Sequence, residues 1–251
     1  MRWLLGVIAA GAMAGPMLAA DQKLGLPVGV AIVSPDVKVI YAPAKGGGIE
    51  ALDLATGKVI WTNKDAHKLA GVTDKFVFTW TGDDKKAHVF RVLAVDAATG
   101  KTIGRSDPIT LPEWASTQKT WGRTFRIAAK ADGDGALVYW HAGAFYAGGA
   151  RPSPEIEAAA RKNEFGVTKI DFKTGKTTLT NAKPKDEDFQ YGPGAFHDKI
   201  HDYEFVLNEE IPGFRPGVGG MMTKVTLIVR KNDQDLWKRE LAGNPFSPPP
   251  P

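Results

Sequence analysis

Two histidines four residues apart, His197 and His201, stand among the carboxylates of Asp198, Asp202 and Glu204. Two imidazoles and one carboxylate can hold a zinc ion with water in its remaining place. On a helix this spacing would put both rings on one face. Gly192-Pro193-Gly194 on one side and the β-forming run from Tyr203 on the other leave little room for a helix. On a strand the rings would still share a face, further apart. His197, His201 and Asp202 are therefore the candidate metal ligands, and a solvated loop with incidental histidines is the plainer reading.

Other chemical signatures fall short of their requirements. Gly100-Lys101-Thr102 and Gly175-Lys176-Thr177 imitate the end of a phosphate-binding loop, but the Gly needed five residues earlier is Val95 or Ile170. Asp132-Gly133-Asp134-Gly135 begins like a calcium loop, yet Ala136 to Trp140 follow where a closing carboxylate should stand, so a tight turn is expected. The chain contains no Gly-x-Ser-x-Gly and no His-Glu-x-x-His. Asp83-Asp84 and Glu209-Glu210 sit in turn or loop contexts, where solvated charge is the usual explanation.

The elements that would position any such group are read from a repeat. Ala51-Leu52-Asp53-Leu54-Ala55-Thr56-Gly57-Lys58 recurs as Ala94-Val95-Asp96-Ala97-Ala98-Thr99-Gly100-Lys101 and as Lys169-Ile170-Asp171-Phe172-Lys173-Thr174-Gly175-Lys176. Asp-x-x-Thr-Gly-Lys after an apolar residue is a β-hairpin. The Asp side chain can bond the backbone of the turn, and the Gly supplies a positive φ without a Cβ clash. β-Formers such as Val59-Ile60-Trp61 start the return strand. Three copies of one hairpin mean a repeat architecture.

The string with its trailing Trp61 resembles the repeat of the quinoprotein dehydrogenase-like, or PQQ-like, β-propellers. The resemblance implies that the hairpin joins two strands of a four-stranded blade and that the Trp packs between blades. The second and third copies lack that Trp. Enzymes of that family use eight blades, a PQQ sandwiched against a Trp, a carboxylate-held calcium, a catalytic Asp and often a vicinal cysteine pair. None of those positions is matched here, so no catalytic or cofactor residue is carried over.

Asp96 follows Asp53 by 43 residues, a blade-sized period, whereas Asp171 follows Asp96 by 75. The excess contains Arg151 to Lys162, where Ser153 as N-cap, Pro154 at the first turn and acids before bases predict a short helix interrupting the third unit. A worn fourth copy ends at Asn232-Asp233 and Trp237, with Trp237 in the place of Trp61. About fifteen strand candidates predict an all-β propeller of about four four-stranded blades. Such a set closes as a small ring or forms an open half that dimerises, and the pattern favours the ring.

The amino end bounds the compartment. Met1-Arg2, the apolar run Trp3 to Ala14 and the small-residue end Pro16 to Ala20 predict a signal peptide over 1–20. An earlier cleavage near Ala14 and an uncleaved anchor are the alternatives. The propeller domain is expected over 21–243 and a proline-rich tail over 244–251. The absence of cysteine excludes disulfides, a lipid-modified cysteine and thiolate metal sites. A net charge of +4 without a basic stripe argues against nucleic acid.

The expectation is a periplasmic or extracellular, non-catalytic scaffold that binds a protein or envelope component through blade-end loops, without a cofactor or a membrane span once the signal is removed. A homodimer is the form an open half would take. The alternative is a reduced quinoprotein or metal-dependent enzyme, with PQQ and calcium or with metal on His197, His201 and Asp202.

Overall fold

The computed structural model describes residues 31–83, 85–118, 123–144, 162–180, 182–189, 199–210 and 224–241, together with the isolated positions Pro154 and Ala158. Both expected terminal segments and the helical insert lie outside these residues or rest on those two isolated positions.

The described chain is all-β, in four antiparallel sheets. Sheet 1 comprises β1 (Ile32–Val33), β2 (Val39–Pro43), β3 (Ile49–Asp53) and β4 (Val59–Asn63). Sheet 2 comprises β5 (Lys68–Val72), β6 (Phe76–Gly82), β7 (Val89–Asp96) and β8 (Thr102–Arg105), with β9 (Ile109–Thr110) paired beside β8 on β7. Sheet 3 comprises β10 (Arg123–Asp132), β11 (Gly135–Ala144), β12 (Asn163–Asp171) and β13 (Thr177–Thr180). Sheet 4 comprises β14 (Lys199–Ile200), β15 (Tyr203–Glu210), β16 (Lys224–Lys231) and β17 (Gln234–Glu240). Within each sheet the four main strands lie in chain order, as hairpin-joined meanders must.

The repeated hairpin forms as its residues dictate. Asp53 Oδ1 accepts from the Thr56 backbone N–H at 2.8 Å and from the Thr56 hydroxyl at 2.7 Å. Asp96 repeats both contacts with Thr99. Asp171 accepts from the Lys173 N–H and the Thr174 hydroxyl. Gly57, Gly100 and Gly175 follow at φ 69°, 73° and 75°. In sheet 4 a two-residue turn does the same work, with Asn232 and Asp233 at φ 51° and 61°.

The sheets join face to face through three hydrophobic clusters. Sheet 4 packs on sheet 1 through Leu227, Val229 and Phe205 against Leu52 and Ile40. Sheet 1 packs on sheet 2 through Tyr41, Ile49 and Trp61 against Leu69, Val77 and Val95. Sheet 2 packs on sheet 3 through Phe78, Phe90 and Val92 against Ile127, Val138 and Ile170. The last sheet thus returns to the first. No hydrophobic cluster among the described residues joins sheet 3 to sheet 4.

Aromatic wedges lock these junctions, in two orientations. Trp237 of sheet 4 lies on Gly57 of sheet 1, where a Cβ would sit 2.6 Å from its ring, and donates its Nε1–H to the Leu54 carbonyl at 2.8 Å. Trp61 of sheet 1 does the same on Gly100 of sheet 2, donating to the Ala97 carbonyl at 2.9 Å. In sheet 2 the place of the Trp is taken by Gly104. Its missing side chain is replaced from the opposite side, because Phe172 of sheet 3 packs on Gly104 and stacks on Phe78 with ring centroids 6.0 Å apart.

Strand register explains where the wedges point. The partners of Trp61, Gly104 and Trp237 are Ala51, Ala94 and Val229, and each pairing follows a bulge. Ile60, Ile103 and Leu236 are the bulged residues and are exposed. β13 pairs with β12 without a bulge, so Thr178 faces Lys169 and Leu179 faces Thr168. A one-residue difference in register exchanges the faces of a strand. Leu179, the eighth residue after Asp171 as Trp61 is after Asp53, therefore points back toward sheet 2.

Two further features narrow and tie the array. β5 and β10 meet backbone to backbone, with a Cβ at Gly71 placed 2.0 Å from the Ala129 carbonyl oxygen. Ala70, Ala128 and Ala129 keep this centre small. Near the rim Arg239 of sheet 4 donates two hydrogen bonds, at 2.7 and 2.5 Å, to the Glu50 carboxylate of sheet 1. Glu50 has only 3% of its side chain exposed, so the planar guanidinium is its required counter-charge.

Candidate functional site

The alternating strand directions sort the connections to two ends of the sheets. At one end lie the first and third turns of every sheet, including all three Asp-x-x-Thr-Gly hairpins and Asn232-Asp233, and at the other the second connections, short in sheet 1 (44–48) and sheet 2 (83–88). At the other end strands β11 and β12 stop at Ala144 and begin at Asn163, and β15 and β16 stop at Glu210 and begin at Lys224. Both longest sheet-internal connections, 145–162 and 211–223, therefore leave from the same end. Those connections contain the stretch singled out in the sequence, Arg151 to Lys162, and the Pro/Gly-rich Ile211 to Gly220.

Beneath that end lies an aromatic cluster. Trp80 meets Phe90 and Phe125 edge-on, at 6.4 and 5.2 Å between centroids. The Lys68 ammonium stands 4.5 Å above the Trp80 ring, and burial lowers its pKa from the ordinary lysine value. Arg123 donates to the Trp114 carbonyl at 2.9 Å. At the start of β12, His141 and Phe165 stack with centroids 4.4 Å apart, His141 contacts Asn163, and Lys183 lies over the Phe165 ring.

Two adjoining cavities of about 380 and 390 Å³ occupy the outer edge of sheet 3 at this end. They share Glu164, Phe165 and Leu179. The wall toward sheet 2 is apolar, made by Ile109, Leu111, Pro112 and Trp140. Leu179 is 66% exposed and Phe165 39% exposed.

The sequence candidates are distributed as follows. His201 and Asp202 form the turn between β14 and β15, with His201 at φ 53°. Lys231 ion-pairs with Asp202 at 2.7 Å and holds its carboxyl below the usual carboxylate range. His197 lies outside the described residues, and no metal-ligating cluster occurs among the described ones. The Asp132 to Gly135 stretch is a hairpin turn whose carboxylates pair with Lys169 at 2.6 Å and Lys173 at 2.5 Å. Gly100-Lys101-Thr102 and Gly175-Lys176-Thr177 lead into strands, where a phosphate-binding loop leads into a helix. Asp53, Asp96 and Asp171 are turn-forming residues.

The sequence reading missed the groove. Leu179 in the place of a wedge Trp was the visible signal. The absent bulge that turns it toward sheet 2, and the extra strand β9 that walls the groove, had none.

No protein-family model and no curated protein matches the chain. Solved structures that resemble it include a europium-containing methanol dehydrogenase, at 16% identity and TM-score 0.34, covering 88% of this chain and 44% of that one. A quinohemoprotein alcohol dehydrogenase from Comamonas testosteroni matches at 16% identity and TM-score 0.32, covering 90% of this chain and 37% of that one. BamB from Moraxella catarrhalis matches at 10% identity and TM-score 0.27, covering 84% and 73%. The chain spans less than half the length of the two dehydrogenases.

Proposed function

We propose that this is an exported, periplasmic or extracellular scaffold: a four-bladed β-propeller that binds a protein partner of the cell envelope through the end bearing its long connections. The observation that carries the reading is the asymmetry of the two ends. Short, side-chain-stapled hairpins close one end, while both long connections, 145–162 and 211–223, leave from the other. A rigid sheet array presenting variable connections on one side is the usual arrangement for recognition. Three of the four junctions that a ring of four sheets needs are made, 4 on 1, 1 on 2 and 2 on 3, and the proposal adds the fourth, between sheets 3 and 4. Catalysis would instead need convergent titratable groups in a cleft. The titratable groups brought together among the described residues are mainly paired Lys–Asp and Arg–carboxylate ions.

The test is photo-crosslinking in the producing cells. A photoreactive residue at Ser153 or Val218, in the long connections, is expected to give a discrete protein adduct. The same residue at Ala55 or Ala98, exposed on the hairpins, is expected to give none. Adducts from the hairpin end alone would contradict the proposal. Metal analysis of the purified protein and of a His197→Ala/His201→Ala variant checks the enzymatic alternative. Stoichiometric metal lost in that variant would favour it.

A further inference from the structure

The geometry points to a specific acceptor site within that binding end: the groove at the outer edge of sheet 3 takes an extended peptide segment of a partner protein as an added β-strand, with apolar side chains flanking an acidic one. This inference rests on the scaffold reading and names the chemistry of its partner.

Three independent features converge there. β13 pairs with β12 only from Val167 to Ile170, while β11 supports β12 along Asn163 to Asp171. The outer backbone edge of residues 163–166 is thus without a strand partner among the described residues. Four residues of strand span about 13 Å at the usual rise, enough for one short extended segment. A cavity of about 380 Å³ lies where β13 breaks off. An open edge with pockets alongside it is the arrangement that captures peptides by strand addition. Such edges are ordinarily blunted by charge, bulges or cover. Here the open stretch of β12 carries a single charge, Glu164, while the adjoining β13 has no bulge and its one large side chain, Leu179, is apolar and exposed.

The alternation of a strand assigns the partner's side chains. Residues directed toward sheet 2 enter the second cavity, where Leu179, Ile109, Pro112 and Trp140 stand beside Thr168 and Thr177, a lining that suits a small β-branched apolar side chain such as valine. Residues directed the other way meet Phe165, His141 and the Lys183 ammonium. That face favours an acidic side chain by charge. Glu164 lies on the apolar face and disfavours a carboxylate there. The complementary segment is therefore apolar–acidic–apolar.

The probe is a blocked, dye-labelled pentapeptide alternating valine with aspartate, titrated into the full chain by fluorescence anisotropy. Saturable binding is expected, weakened about tenfold or more by Leu179→Glu, with a thermal midpoint like wild type because that side chain is exposed. Lys183→Glu is expected to exchange preference toward a valine–lysine peptide. Two N-methylated versions, blocked on alternate residues, distinguish backbone pairing from mere apolar capture. One frame must abolish binding while the other leaves it, since a strand faces a given neighbour with every second amide. No saturation at millimolar peptide, or equal binding by wild type and Leu179→Glu, would overturn the inference. So would indifference to both N-methylation frames, or a concentration-dependent dimer that occupies the groove with a second copy. Failure here alongside adducts from Ser153 or Val218 would remove the groove and leave the scaffold reading. Peptide binding without such adducts would remove the assignment of the long connections instead.

Discussion

Sheets 1 and 2 are locked by an indole reaching forward, and sheets 2 and 3 by a phenyl ring reaching back. At the first junction Trp61 leaves the outer strand β4 and lies on Gly100 of the next hairpin. At the second, the outer strand offers only Gly104, and Phe172 of the next hairpin fills the space. The slot between sheets has to be filled, but the ring can come from either wall. The loss of Trp from a repeat is then a reversal of the wedge, not its decay. A consequence appears one sheet further on. β13, which supplies no wedge, has no bulge, and its apolar residue Leu179 turns back to line the groove.

The comparison can be broken most severely at the forward wedge. Trp61→Ala removes a side chain with 9% of its surface exposed and orphans the Ala97 carbonyl. A loss of about 3–5 kcal/mol in denaturant unfolding is expected. Trp237 is less buried, so Trp237→Ala should cost less. Next, Gly100→Ala places a Cβ 2.6 Å from the Trp61 ring at φ 73°, and a loss of about 2–4 kcal/mol is expected. Gly133→Ala also has positive φ but meets no atom within 4 Å, and should lose only about 1 kcal/mol.

Smaller effects sharpen the forward junction by pH. Tyr41 packs on Trp61, and burial followed by the charges of Asp36 and Asp96 pushes its hydroxyl up to about 12. A raised folded-state pKa means that stability is intact below the ordinary tyrosine value of 10.0 and falls as pH rises toward 12. Tyr41→Phe should flatten that alkaline loss, as read by urea midpoints across the range. At the hairpins, the Thr56 hydroxyl and then its backbone N–H hold Asp53 below its ordinary carboxyl value. Its depressed pKa gives stability that is present above the ordinary carboxylate range and lost as pH falls through the folded value. Asp53→Asn should remove that acid dependence, by no more than about 0.5 kcal/mol because the group is exposed. An unchanged acid limb would show that the staple contributes nothing.

Much of the scaffold was legible because its determinants are local. Asp-x-x-Thr-Gly contains its own hydrogen bonds and its own positive φ, and Asn232-Asp233 with Trp237 stood at the expected places of a fourth copy. Gly104 and Phe172 were visible as residues but not as a pair, because their contact joins two sheets. The bulges at Ile60, Ile103 and Leu236, and the lack of one in β13, depend on cross-strand register that no short motif encodes. The groove inherits that illegibility, since it arises from register, an early strand end and β9. The strand that follows His201 and Asp202 was legible from its β-formers, while the Lys231 partner of Asp202 comes from a strand more than twenty residues on.

The reversed wedge is tested most directly by a double-mutant cycle on Gly104→Ala and Phe172→Gly. A Cβ at Gly104 would lie 2.5 Å from the Phe172 Cβ, and 172 as glycine has no Cβ to collide with. Each single change is expected to destabilise, with the alanine tolerated far better once Phe172 is gone. The coupling should reach about 1–3 kcal/mol. Additivity within about 0.5 kcal/mol would mean that Phe172 does not stand in for the missing Trp.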